Sequence, residues 1–250
     1  MSRIHVFADL QSLGSAAAQR WKELATRAIS QGGAFHVALA GGNTPRGLYQ
    51  KLSEPDRVNP IDWSHTHVYF GDERSVPWDH PDSNFRMARE ALLDHVPIPR
   101  DHVHPIRARV GQVRHDAYAY DHVLTSQVPK GSDDVPAFDL ILLGMGADGH
   151  VASLFPHSCS LHATNRLVVA VYVDKLATWR ITITFPVLHA ARHVLVLVAG
   201  TAKTATVRRV LADRPLEPEL LPAQQLLNHD SVEWYLDREA AADLPGELLL

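Results

Sequence analysis

The chain has 250 residues, 46% of them hydrophobic, enough apolar material for one large α/β domain or two small ones. Its net charge of −4 and lack of any basic run argue against a general nucleic-acid or polybasic membrane role. A lone cysteine, Cys159, excludes an intrachain disulfide and suits a reducing compartment. No apolar run reaches the roughly 18 residues of a membrane span, and the opening MSRIHVFADL lacks a signal-peptide core, so a cytoplasmic protein is expected.

Strand-like and helix-like segments alternate along the chain. Residues 4–8 read as a short strand. Residues 13–30 read as a helix rich in Ala, Gln, Lys and Glu, which Gln31-Gly32-Gly33 ends. The buried strand 35–40 leads through Gly41-Gly42-Asn43-Thr44 into a helix over 45–52, with Pro45 in its first turn. Strand 67–70 runs into the long charged loop GDERSVPWDHPDSN, and helices are expected over 85–93 and 110–127. The segments 140–143, 167–173, 181–185 and 194–198 are β-branched or leucine-rich and read as strands. A helix over 201–211 follows, and residues 232–250 mix a short strand and a helix. Strands apolar on both faces and separated by helices predict an α/β fold: a mostly parallel, Rossmann-like sheet covered by helices on both faces. Residues 130–136 and 215–222 read as surface connections, and no repeat divides the chain, so residues 1–250 are expected to form one domain.

The most informative stretch is FDLILLGMGADGHVASLFP, residues 138–156: a buried strand, a glycine-rich turn, then Asp148 and His150 at the strand's carboxyl end, where open α/β sheets place ligands. A histidine beside a carboxylate can move protons near neutral pH. The spacing Gly144-x-Gly146-x-x-Gly149 also matches a dinucleotide fingerprint, with Asp174 at a plausible distance beyond it. That fingerprint needs a helix immediately after the last glycine, yet Pro156 would cut such a helix short. Asp148 would also set a carboxylate where two phosphates belong.

Three further features sit at strand ends. Gly41, Gly42, Asn43 and Thr44 offer backbone N–H groups and side-chain donors at a helix N-terminus, a form suited to phosphate; a plain capped turn explains them equally well. Asp72, Glu73 and Arg74 concentrate charge in a loop stiffened by two prolines and a tryptophan. Arg180 opens the strand RITITF, and Lys203 follows VLVLVAG, where a cation opposes the helix dipole unless an anion binds. The sixteen histidines include the pairs His65/His67 and His102/His104, each on one face if on strands; with no HExxH pattern or cysteine cluster, they read as surface or edge histidines.

GGNTP at 41–45, GDERSVPWDHPDSNF at 71–85, GMGADGHVASLFP at 144–156, RITITFP at 180–186 and AGTAK at 199–203, taken together, resemble the 6-phosphogluconolactonases. The likeness covers about residues 35–205 and continues more loosely through LPAQQLL and VEWYLDREAA. It implies hydrolysis of 6-phospho-D-glucono-1,5-lactone, with no cofactor or metal. By the same resemblance His150 would be the acid–base residue. Gly41, Gly42, Asn43 and Thr44, with Arg180 and Lys203, would hold the phosphate. Arg74, on a mobile loop, would stabilise charge at the lactone end, and Asp72 and Asp148 would position His150 or sugar hydroxyls. Asn43 and His157 depart from the family's usual residues. The glucosamine-6-phosphate deaminases are similar but carry a glutamate in the segment that here reads Val151-Ala152-Ser153-Leu154-Phe155-Pro156, and Asp-Glu-Tyr where this chain has Asp72-Glu73-Arg74. A sugar-phosphate sensor would usually add a DNA-binding helix-turn-helix; this sequence opens on a strand-like segment and keeps Asp148-Gly149-His150 intact, so a sensor is not expected. The sequence specifies no oligomeric state.

Overall fold

A computed structural model describes residues 3–56, 58, 60–131 and 133–248. Ser132, within the expected connection 130–136, and the last two residues of the expected C-terminal helix lie outside that set. The elements in chain order are β1 (Arg3–Phe7), α1 (Leu10–Gly32), β2 (Phe35–Leu39), α2 (Asn43–Ser53), β3 (Thr66–Phe70), β4 (Asp72–Arg74), α3 (Asn84–Ala88), α4 (Val113–Gln127), β5 (Leu140–Gly144), β6 (Val168–Val173), β7 (Thr178–Ile183), α5 (Phe185–Ala190), β8 (Val194–Val198), α6 (Thr204–Leu211) and β9 (Val232–Asp237). Six strands form one sheet in the order β1-β9-β8-β5-β2-β3, and every adjacent pair is parallel. Each residue of β2, β8 and β9 is buried, which requires cover on both faces of the sheet and accounts for the continuous apolar run of β8.

Helix α1 starts at Asp9, whose carboxylate accepts the Ser12 N–H while the Ser12 hydroxyl accepts the Asp9 N–H, and it ends at Gly33. Its buried residues Leu13, Ala17, Trp21, Leu24 and Ala25 recur at helical spacing, and this stripe faces the core. The expected helix 85–93 is α3 followed by a wide π-type turn over Arg89–Leu93.

The main departure from the sequence expectation concerns 167–173 and 181–185. These are not members of the parallel sheet. β6 and β7 form an antiparallel hairpin, and β4 adds to it in the order β4-β7-β6. α4 packs on β6 and β7. The second strand runs from Thr178 to Ile183, and Phe185 already begins α5. Apolar runs cannot by themselves say which sheet they join, because burial depends on whatever packs over them. After β9, the described residues hold short turns and a single 3-10 turn over Gly246–Leu248 rather than an α-helix.

The histidine pairs also separate. His65 sits in a 3-10 turn before β3 and pairs with Asp62, at 2.8 Å. His67, on the edge strand β3, stacks on His36 and His102 with centroids 4.9 and 3.9 Å apart, and His104 stacks on Tyr69 at 4.4 Å. The edge placement holds for His67, but His36 is buried. Burial, reinforced by repulsion from His67, pushes His36 down to about 4, and the same causes push His104 down to about 4. No group of three or more His, Cys, Asp or Glu side chains among the described residues could hold a metal ion.

Candidate active site

Five strands of the two sheets converge on one cleft of about 370 Å³, near the lower end of small-molecule sites. It is lined by Gly41, Gly42, Asn43 and Thr44 after β2, Asp72 and Arg74 on β4, His150 after β5, Arg180 on β7, and Lys203 after β8. Nine of the ten residues singled out in the sequence therefore share one space. The tenth, Asp148, lies behind His150 and lines an adjoining groove.

The turn after β2 is held from both sides. The Tyr49 hydroxyl of α2 donates to the Ala40 carbonyl and accepts the Ala40 N–H, at 2.8 and 3.0 Å. Gly42 is the N-cap of α2, at φ +96°, and no side chain caps the helix. Neither Asn43 nor Thr44 acts as the cap, so the first-turn N–H groups remain available at the cleft wall. Gly41 is required by close approach: a Cβ there would fall 1.8 Å from Oδ1 of Asn84.

Within the segment expected to be a long charged loop, Asp72–Arg74 form the short strand β4, and residues 75–83 are turns and bends. β4 pairs with β7 in the register Asp72–Thr182, Glu73–Ile181 and Arg74–Arg180. Glu73 is buried and fastens the segment: it accepts the N–H groups of Arg74, Asn84 and Phe85 and the Ser83 hydroxyl, all within 3.0 Å. Burial raises its carboxyl despite these bonds. Asp72 accepts the Ser153 hydroxyl at 2.6 Å and the Asn84 amide at 3.1 Å. Asp72 is thus bonded to Ser153 and Asn84, while His150 is held by a different carboxylate.

Arg74 and Arg180 stand opposite each other across the β4–β7 ladder, a like-charge juxtaposition that is unfavourable without an anion or carboxylate nearby. One guanidinium nitrogen of Arg74 donates to the Asp82 carbonyl at 2.5 Å. The Nε–H groups of both arginines are buried and find no hydrogen-bond partner among the described residues. Burial lowers Arg180, with Asp72 opposing that effect. Burial likewise lowers Lys203, and Asp148 partly offsets it. Lys203 ends a 3-10 turn whose first N–H, from Gly200, is anchored by the Asp237 carboxylate at 3.0 Å.

His150 is held on two sides. Its Nδ1 bonds Asp148 Oδ1 at 2.5 Å, and its ring lies against Phe155 with centroids 4.2 Å apart. Nδ1 is thereby committed as the donor to a carboxylate, which leaves Nε2 as the basic nitrogen on a side chain that lines the cleft. Burial by itself would raise the Asp148 carboxyl, but bonds from His150 and Lys175 outweigh it and hold the group well below the usual carboxylate range. The turn is pinned by the Thr206 hydroxyl on the Ala147 carbonyl and by the Ala223 N–H on the Gly149 carbonyl. No helix follows Gly149; residues 150–158 are turns and short bridges, so the dinucleotide spacing lacks the helix end it requires.

Asn84, Ser153, Phe155 and Lys175 were not singled out as site residues in the sequence. The first three lie inside the motif segments, where spacing shows no role for them. Lys175 lies on the β6–β7 turn, where only folding reveals its approach to Asp148.

A family model described as glucosamine-6-phosphate isomerases/6-phosphogluconolactonase matches residues 8–234. The chain belongs to that family. Relatives include a 6-phosphogluconolactonase of Synechocystis sp., 40% identical with 88% of each chain covered. Another is a 6-phosphogluconolactonase of Mycobacterium tuberculosis, 39% identical over 98% of this chain and 99% of the other. Among solved structures, the 6-phosphogluconolactonase of Trypanosoma brucei matches with a TM-score of 0.86 and 32% identity over 98% of this chain and 99% of that one. A monomeric glucosamine-6-phosphate deaminase shares the fold, with a TM-score of 0.79, 20% identity, and 96% and 99% of the two chains covered. Among the described residues no helix is long and apolar enough to cross a membrane.

Proposed function

We propose that this chain hydrolyses 6-phospho-D-glucono-1,5-lactone to 6-phospho-D-gluconate, a step of the oxidative pentose phosphate pathway. The relatives' names support that substrate. The observation that carries the reading is the meeting, in one small cleft, of an uncapped backbone cradle, three cations and a carboxylate-held histidine. Phosphate is accepted by the N–H groups around Gly41, Gly42, Asn43 and Thr44 and by Arg180 and Lys203. Anchoring the substrate by this remote group positions the ring over His150.

His150 Nε2 takes a proton from water as the water oxygen bonds to the lactone carbonyl carbon. Asp148 keeps the ring in the required tautomer and stabilises the imidazolium that forms. Arg74 stabilises the tetrahedral oxyanion. Collapse restores the carbonyl and breaks its bond to the ring oxygen, which receives the proton from His150. The new carboxyl group then ionises and releases one proton. No step is assigned to a metal or cofactor, because the lactone is already an activated ester. Asp72, in the cleft wall, holds Ser153 and Asn84 and so ties the His150 segment to the side that carries Arg74 and Gly41.

Phe155 favours lactone hydrolysis over deamination. It stands where the deaminase-like pattern places its glutamate, and its ring packs directly on His150. The test is acid release from freshly prepared 6-phosphogluconolactone above the spontaneous rate. Wild type should accelerate it strongly, and folded His150→Ala should lose about 10²-fold or more in kcat. Unchanged turnover in that variant removes His150 from the mechanism; no acceleration by wild type rejects the activity.

A further inference from the structure

Asp148 has two carboxylate oxygens, and the reaction above uses one. The second is taken by Lys175, from the turn between β6 and β7, a part of the antiparallel sheet that does not line the cleft. The same ammonium lies 4.8 Å from the centroid of Phe155, the ring on which His150 rests. Asp148 and Phe155 thus each contact both His150 and Lys175, forming a closed four-residue arrangement. We infer that Lys175 is a positioning residue that sets the proton affinity of His150 through Asp148.

The physical reason is charge balance. A carboxylate bonded to an imidazole favours the imidazolium, which cannot accept a proton from water. An ammonium on the far oxygen offsets much of that carboxylate's charge while leaving it able to orient the ring. The Lys175 side chain is about half exposed, so solvent screening limits the effect to about one pH unit rather than several. Other charged groups face the same pair. On the cleft side these are Lys203, Arg74, Arg180 and Asp72. On the outer side Arg114, Asp174 and His157 line the groove that Asp148 and Lys175 share. All remain in place when Lys175 alone is changed, so the variant isolates its charge.

The inference rests on the proposed role of His150, and its test separates the two. Lys175→Met keeps the length of the side chain and removes the charge; Lys175→Arg keeps the charge; Lys130→Met removes a lysine from an exposed pair with Asp134, away from the cleft. In Lys175→Met the acid limb of kcat/KM for lactone hydrolysis should move up by about one pH unit. Activity should then fall about tenfold at the acid end of the profile, with a smaller loss on the alkaline side. Lys175→Arg should restore the limb, and Lys130→Met should not move it. The titration of the His150 ring, followed by proton NMR, should move up by the same amount and does not depend on turnover. An unmoved limb and an unmoved ring titration in Lys175→Met would overturn the inference, as would an equal loss at every pH. A moved ring titration in a protein that does not hydrolyse the lactone would uphold the inference and reject the proposed function instead.

Discussion

Replacing Gly146 by alanine tests the His150–Asp148 pair without touching either member. An alanine Cβ at this position would lie 2.0 Å from His150 Nδ1 and 2.4 Å from Asp148 Oδ1, against about 3.4 Å for ordinary contact. An approach more than 1 Å too close cannot be absorbed by small shifts, so the hydrogen-bonded pair must separate. Gly146 is not among the residues at positive φ, so alanine introduces no backbone strain there. Both side chains are partly exposed, 27% and 29%, and can swing outward at modest cost to folding. The damage should therefore fall on catalysis: loss of an oriented general base typically costs about 10²–10³-fold, or about 2.7–4 kcal/mol in the barrier. The assay is acid release from the lactone at saturating substrate, alongside thermal unfolding. The expected result is a kcat reduced by about that factor, a KM changed little, and a melting temperature within a few degrees of wild type. A folded Gly146→Ala enzyme with wild-type kcat would refute the claim that the Asp148 contact orients His150.

Lys203→Ala should raise KM by about tenfold or more with a smaller change in kcat, because phosphate is bound alike in ground and transition states; steady-state kinetics showing the reverse split would contradict its assignment. The histidine stack predicts acid sensitivity. The folded-state value for His36 is depressed to about 4, so the unfolded chain binds more protons between about pH 4 and 6.5, and stability present above that window is lost as pH falls through it. For His36 alone this amounts to about 2 kcal/mol lost by pH 5. Urea unfolding of wild type and His36→Phe at pH 7 and pH 5 measures the difference; equal losses in the two proteins would rule out His36 as the source.

The sequence by itself determined the alternation of strands and helices, the ends at which loops could carry chemistry, and the family resemblance, because these depend on local propensity and on short-range spacing. Gly41, Gly42, Asn43, Thr44, His150 and Lys203 follow β2, β5 and β8, and parallel strands of an open sheet present those ends on one side. Only the tertiary structure decided which strands shared a sheet. β6 is nearly as apolar as β8, but it pairs with β7 in an antiparallel hairpin that β4 extends, and that separate layer sets Arg74 opposite Arg180. The division of labour between Asp72 and Asp148 was likewise decided in three dimensions. Both are aspartates beside glycines, and only the fold shows that one faces Ser153 and Asn84 while the other faces His150. Lys175 is the extreme case: its approach to Asp148 comes from a hairpin turn distant in sequence, a long-range contact that no local pattern encodes.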